Sequence, residues 1–258
     1  MPYPSYPDLQ AKVAVVTGGS RGIGAATCRL LAANGVKVVV NGRHQAAISP
    51  VVTNIQSAGG RAVGITADCT NFAAIERMRQ RTQQELGPVD VLVACVGGYG
   101  EYTPTDQLTE EQWRLTVDAN LTSTFLTLKS FLPGMIDRRQ GSIITVASSA
   151  ARFLIGASSA SAAYAAAKAG VVMLARRVAS EVGKYGVRVN CVAPAAVLTE
   201  RVEHHMSEAE QKDAATLVPL GRMGTPDDVA LAILFLASDS SSWLTGVTLD
   251  VAGGRIML

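Results

Sequence analysis

Residues 12–41 read KVAVVTGGSRGIGAATCRLLAANGVKVVVN. Two short β-branched runs, 12–17 and 36–41, enclose a glycine-rich turn and an amphipathic stretch. Val-rich runs without polar alternation are the pattern of strands buried on both faces. AATCRLLAAN carries apolar residues at three- and four-residue spacing, so it reads as a helix. Gly35 follows it, where a helix end favours a left-handed residue. A strand, a helix and a second strand of this length predict a parallel βαβ unit.

The same alternation continues outward. Further strand-like runs lie at 61–66, 89–94, 141–147, 187–193 and 246–251. Helical patterns fall between them, as in AAIERMRQRTQQEL and PDDVALAILFLAS. Gly87, Gly141 and Gly186 stand with Gly35 as predicted helix ends. The expected fold is α/β: one doubly wound, mainly parallel seven-stranded sheet with helices on both faces, a Rossmann-like arrangement. No linker, repeat or composition break divides residues 1–258, so a single domain is expected. Residues 1–10 read as an irregular arm and about 197–225 as a lid over the site.

Composition narrows the function classes. Hydrophobic residues make up 48% of the chain and charged residues 17%, which fits a well-buried globular protein. A net charge of +2 gives no electrostatic case for nucleic acid or an anionic membrane. No apolar stretch reaches membrane-spanning length, and the N-terminus lacks a basic region followed by an apolar run. Cys28, Cys69, Cys95 and Cys191 form no C-x-x-C pair and sit among small or apolar residues. They read as reduced, mostly buried thiols, and a cytoplasmic location is expected. His204 and His205 are adjacent and do not face one ligand, so no metal site is expected.

Ligands of such a sheet bind beyond the carboxyl ends of its strands. After the first strand comes TGGSRGIG, with Gly18, Gly22 and Gly24 spaced G-x-x-x-G-x-G. Glycines permit a tight turn and close backbone approach, and the helix that follows offers free N–H groups to a phosphate. Further on, ASSASAAYAAAKAG (157–170) sets Tyr164 and Lys168 four residues apart on a carpet of small side chains. At that spacing both leave one helix face. A free Tyr titrates near a pH of about 10, and a neighbouring cation lowers that value.

The order of TGGSRGIG, VDAN, ITVASS, YAAAK, VRVNCVAP and TGVTLDVAGG resembles the short-chain dehydrogenase/reductase family over residues 10–254. Within it the chain looks most like 3-oxoacyl-carrier-protein reductases and related single-domain ketoreductases. The resemblance implies reduction of a ketone to a secondary alcohol by NADPH. It implies Tyr164 as general acid, Lys168 as its cation and nicotinamide-ribose partner, Ser148 as hydrogen-bond donor to the carbonyl, and Asn120 beside a water that reaches Lys168. Ser149 is the main rival of Ser148, followed by Ser158, Ser159 and Ser161. Ser148 and Tyr164 are separated by 16 positions, more than the resemblance implies, so the intervening loop carries extra residues.

The cofactor residues it implies are Gly18, Ser20, Arg21, Gly22, Ile23 and Gly24 in the turn, then Asn41 and Arg43 after the second strand. Asp68 would contact adenine and Gly97 the adenine ribose. Pro194, Val197 and Thr199 would hold the nicotinamide and phosphates. The chain departs from the family's N-N-A-G at Ala94 and Cys95, and from its Pro-Gly at Pro194-Ala195. Cys95 has no visible His partner and is not expected to act as a nucleophile.

An NAD enzyme of this fold usually carries an Asp or Glu after its second strand for the ribose 2′-hydroxyl. Here VVVNGRH has none, whereas Arg43 and Arg21 suit a 2′-phosphate. NADP(H) is therefore the expected cofactor. A small carbonyl compound, free or carrier-bound, is the expected substrate, and Tyr99, Tyr102, Phe153 and Leu154 favour a partly apolar one. Alternatives are a dehydrogenase oxidising a sugar, steroid or polyol, and a non-catalytic dinucleotide-binding regulator. Family members commonly pair long helices into homodimers or homotetramers, which points to 122–136 and 164–182.

Overall fold

The computed structural model describes residues 4–98, 100, 102–153, 160–200, 202 and 206–256. Seven strands form one parallel sheet: β1 Val13–Thr17, β2 Lys37–Gly42, β3 Arg61–Thr66, β4 Val91–Ala94, β5 Gly141–Val146, β6 Val187–Pro194 and β7 Thr248–Val251. Their order is β3-β2-β1-β4-β5-β6-β7. All pairings are parallel, with β1 registered Val15 to Val39 on one side and Val15 to Leu92 on the other. The chain reverses direction across the sheet between β1 and β4, which opens the crevice where such sheets take ligands.

Helices cover both faces. They are α1 Gly22–Ala33, α2 Gln45–Ser57, α3 Phe72–Glu85, α4 Glu110–Val117, α5 Ser123–Arg138, α6 Ala162–Val182, α7 Glu208–Thr216 and α8 Pro226–Ala237. Alternate residues of one strand feed opposite cores. Ala14 and Val16 pack with Leu31 of α1 and Ile233 of α8, whereas Val13 and Val15 pack with Ile75 of α3 and Val171 of α6. This explains the lack of polar alternation in the sequence: neither face of the strand meets water. Each fully buried Val, Leu or Ile contributes about 1.5–3 kcal/mol.

The helix ends follow local chemistry, with one correction. Gly35, Gly87 and Gly186 take positive φ as expected. Gly141 does not: the left-handed residue after α5 is Arg139, at φ 54°. Gly141 instead begins β5, where a Cβ would come within 2.6 Å of the Met135 sulfur. Its absent side chain serves packing.

The N-terminal arm is less irregular than its composition suggests. Pro7–Leu9 make a 3-10 turn, Leu9 is fully buried, and the Tyr6 amide donates to Asn34 Oδ1 at 2.8 Å. At the other end the Leu220 amide donates to the Gly253 carbonyl at 3.1 Å, tying the C-terminal segment to the residues after α7. The two helices expected to pair between subunits carry exposed apolar residues, Phe125 and Met173. Trp113 and Leu115 of α4 are also exposed. Among the described residues no helix is long and apolar enough to cross a membrane, and no side-chain cluster suits a metal ion.

Candidate active site

The glycine turn lies between β1 and α1. Gly18 and Gly22 hold φ of 65° and 52°. A Cβ on Gly24 would overlap the Gly18 carbonyl oxygen, so the turn closes only on glycine. Arg21 is the N-cap of α1 but its side chain makes no capping bond, and the first turn holds no acidic residue. The amides at the helix start and the absent side chains form a cradle that fits a dinucleotide pyrophosphate. Ile23 and Ser20 flank it, half-buried, and the Ser20 hydroxyl lies over Gly42, where a Cβ would sit 3.1 Å away.

At the ends of β2 and β3 the residues divide. Asn41 is fully buried, and its amide donates to the carbonyls of Ile65 and Ala67 at 3.1 and 3.2 Å. Its side chain braces β2 to β3 rather than facing the crevice. Its carbonyl accepts the Gly19 amide at 2.8 Å, linking the brace to the turn. Arg43 and Asp68 are exposed. Two hydrogen bonds from Thr70 hold the Asp68 carboxyl below the usual range, and the Arg43 charge adds to this.

Across the crevice, side chains converge. Ser161 Oγ accepts the Tyr164 amide at 3.3 Å and caps α6, so this hydroxyl starts the helix. Tyr164 and Lys168 are both buried, one turn apart. Lys168 Nζ donates to the Val146 carbonyl at 2.8 Å, at the end of β5, and lies 5.8 Å from the centre of the Tyr164 ring. Burial pushes the ammonium down to about 8. Among the described residues no carboxylate pairs with it.

Gly97, at φ 153°, lies against this ammonium. A Cβ there would come within 2.6 Å of Asn120 Oδ1 and 2.9 Å of Lys168 Nζ. Asn120 is fully buried in a π-helical turn, Asp118–Thr122, between α4 and α5. Its side chain clamps residue 98, accepting the Gly98 amide and donating to the Gly98 and Thr116 carbonyls. Such single π turns are often found at functional sites. Helical periodicity gives no sign of this one.

Ser148 follows β5 directly, is half-exposed, and accepts the Ala150 amide at 3.2 Å. Its rival Ser149 is buried in the 3-10 turn Ser149–Ala151, which packs against α6. Ser158, Ser159, Leu154 and Tyr99 lie outside the described residues. Tyr102 is exposed and Phe153 half-buried. Cys95 borders Lys168, and burial pushes its thiol up to about 11, which keeps it protonated and a poor nucleophile. Burial likewise pushes Cys69 up to about 12.

Pro194 ends β6 in the core. Val197 is buried and bridges to Gly224, with the Leu198 amide on the Gly224 carbonyl at 2.8 Å. Thr199 packs against the glycine turn, its Cγ2 lying 3.3 Å from where a Gly22 Cβ would be. Beside it the Glu200 carboxylate accepts the Gly22 amide at 3.1 Å, a contact that no spacing pattern announces.

Residues 18–255 match the family described as enoyl-(acyl carrier protein) reductase. The chain is 38% identical over 251 residues to a 3-oxoacyl-acyl-carrier-protein reductase of Synechocystis, covering 96% of this chain and 98% of that one. It is 36% identical over 247 residues to a hydroxy(phenyl)methyl-succinyl-CoA dehydrogenase subunit of Thauera aromatica, covering 96% and 97%. A crystal structure of a 3-oxoacyl-acyl-carrier-protein reductase from Brucella melitensis with bound NAD superposes with a TM-score of 0.88 at 31% identity. That match covers 98% of this chain and 94% of the other.

Proposed function

The chain belongs to the short-chain dehydrogenase/reductase family, and from that premise we propose that it reduces a ketone to a secondary alcohol with NADPH. It is an oxidoreductase that uses a nicotinamide dinucleotide. A 3-oxoacyl thioester or a related carbonyl compound is the proposed substrate. The relatives in Synechocystis and Thauera aromatica bear names for carrier-protein and CoA thioesters, which supports this class.

One observation carries the reading: Lys168 is a buried ammonium without a carboxylate partner among the described residues, one helical turn from Tyr164. An unpaired buried charge costs stability, so its presence at the end of β5 supports a functional role there. When bound, the dinucleotide supplies the hydride. The Tyr164 hydroxyl gives its proton to the substrate oxygen as negative charge builds there, and the Lys168 cation favours the tyrosinate that is left. Ser148 Oγ–H donates to the same oxygen. Asn120 acts at one remove, holding residues 97 and 98 against the ammonium. Run backwards, the same groups oxidise an alcohol, so a dehydrogenase role with the same residues is the second reading. The dehydrogenase name of the relative in Thauera aromatica favours it.

NADPH is proposed because no acid follows β2, Asn41 is committed to the sheet, and Arg43 and Arg21 are exposed at neighbouring strand ends. Charge-assisted hydrogen bonds contribute roughly 1.5–3 kcal/mol, so one Arg on a 2′-phosphate favours NADPH by about 10- to 150-fold. The test is kcat/KM for a panel of 3-oxoacyl thioesters and simple ketones with both cofactors, in the wild type, Arg43→Ala and Arg21→Ala. Each variant should raise the KM for NADPH and barely change that for NADH. A wild-type preference for NADH, or equal losses for both cofactors, would overturn the assignment.

A further inference from the structure

The N-terminus of α1 has no local cap: Arg21 makes none with its side chain, and no acid lies in the first turn. Its leading amide is capped from 178 positions away by Glu200. Thr199 packs on the same glycine, so the two residues together lie across the cradle that fits a pyrophosphate.

The strap is held on both sides of this contact. Before it, Val197 is buried and Leu198 is bonded to the Gly224 carbonyl, while the Gly224 amide returns to Ala196. Beyond it, Val202 is buried. Glu200 itself is exposed, so its carboxylate can leave without breaking a packed core.

We infer that Glu200 is an internal competitor for the pyrophosphate seat, so that a dinucleotide must displace it from the Gly22 amide. Both anions seek the same N–H and the same positive end of the helix. Two negative groups cannot share that seat at low cost, and the diphosphate is the more highly charged. This inference rests on the dinucleotide reading of the glycine turn.

The test measures binding rather than turnover. ADP-ribose is titrated by calorimetry and NADPH by its fluorescence, against the wild type, Glu200→Gln, Glu200→Ala and Glu208→Gln. Glu208 is an exposed acid in the first turn of α7 and controls for bulk charge. Both Glu200 variants should bind ADP-ribose about two- to fivefold more tightly, the scale of one carboxylate at a helix N-terminus. Glu208→Gln should match the wild type. Without ligand, the Gly22 amide should exchange its hydrogen faster in Glu200→Ala than in the wild type. Wild-type binding with no tightening in either Glu200 variant, or equal tightening in Glu208→Gln, overturns the competition alone. No ADP-ribose binding by the wild type overturns the dinucleotide reading with it.

Discussion

Beyond the end of β1 the site is made of backbone. Gly18, Gly22 and Gly24 leave empty space at the start of α1, flanked by half-buried Ser20 and Ile23 and exposed Arg21. Beyond β5 it is made of buried side chains: Tyr164, Lys168 bonded to the Val146 carbonyl, and Asn120 bonded to the Gly98 and Thr116 carbonyls. The first region accommodates a ligand by shape and by the helix N-terminus, which costs the fold little beyond the entropy of ordering glycine. The second stores a charge in the interior, which costs stability and, in the proposed mechanism, supplies the reactivity. In the proposed mechanism, binding and chemistry are thus separable, and each half is open to change without the other.

The largest expected effect falls on the side-chain half. Tyr164→Phe should lower turnover by about a hundredfold or more, the usual scale for losing a general acid. NADPH affinity should be nearly unchanged, since the cradle is untouched. Near-normal turnover would sink the mechanism, and a matching loss of affinity would erase the contrast between the two halves.

Gly24→Ala probes the backbone half. The new Cβ overlaps the Gly18 carbonyl, and overpacking of this kind typically costs about 1–3 kcal/mol. Urea unfolding should register that loss, and dinucleotide affinity should fall with it. If affinity and stability both survive, the turn is more pliant than its geometry implies.

The smallest expected effect is in pH. Lys168 sits at about 8 because burial disfavours its charge. As pH rises through that value the cation is lost, so the rate of ketone reduction should fall about tenfold per pH unit above it. Stability should move the other way. Between about 8 and the ordinary 10.5, the unfolded chain holds a proton on Lys168 that the folded chain has released, so this group's contribution to stability rises with pH. Falling activity without falling stability separates titration from alkaline unfolding. In Lys168→Arg the limb should move above a pH of about 10, since guanidinium stays charged. An unchanged limb would mean that another group titrates.

The sequence alone determined the seven strands, their alternation with helices, the glycine turn and the Tyr164–Lys168 spacing. These features are local: a strand buried on both faces is apolar at every position, and a helix pair is set by four residues of chain. Tertiary structure decided what such patterns do not encode. It gave the left-handed helix end to Arg139 and used Gly141 to make room for Met135. It turned the Asn41 amide inward to β3, buried Ser149 while leaving Ser148 half-exposed, and inserted a π turn at Asn120. It also brought Glu200 onto the Gly22 amide. Each of these depends on which groups meet across the crevice. A residue's solvent exposure and distant hydrogen-bond partners arise only when separate elements pack, and spacing along the chain carries no record of them.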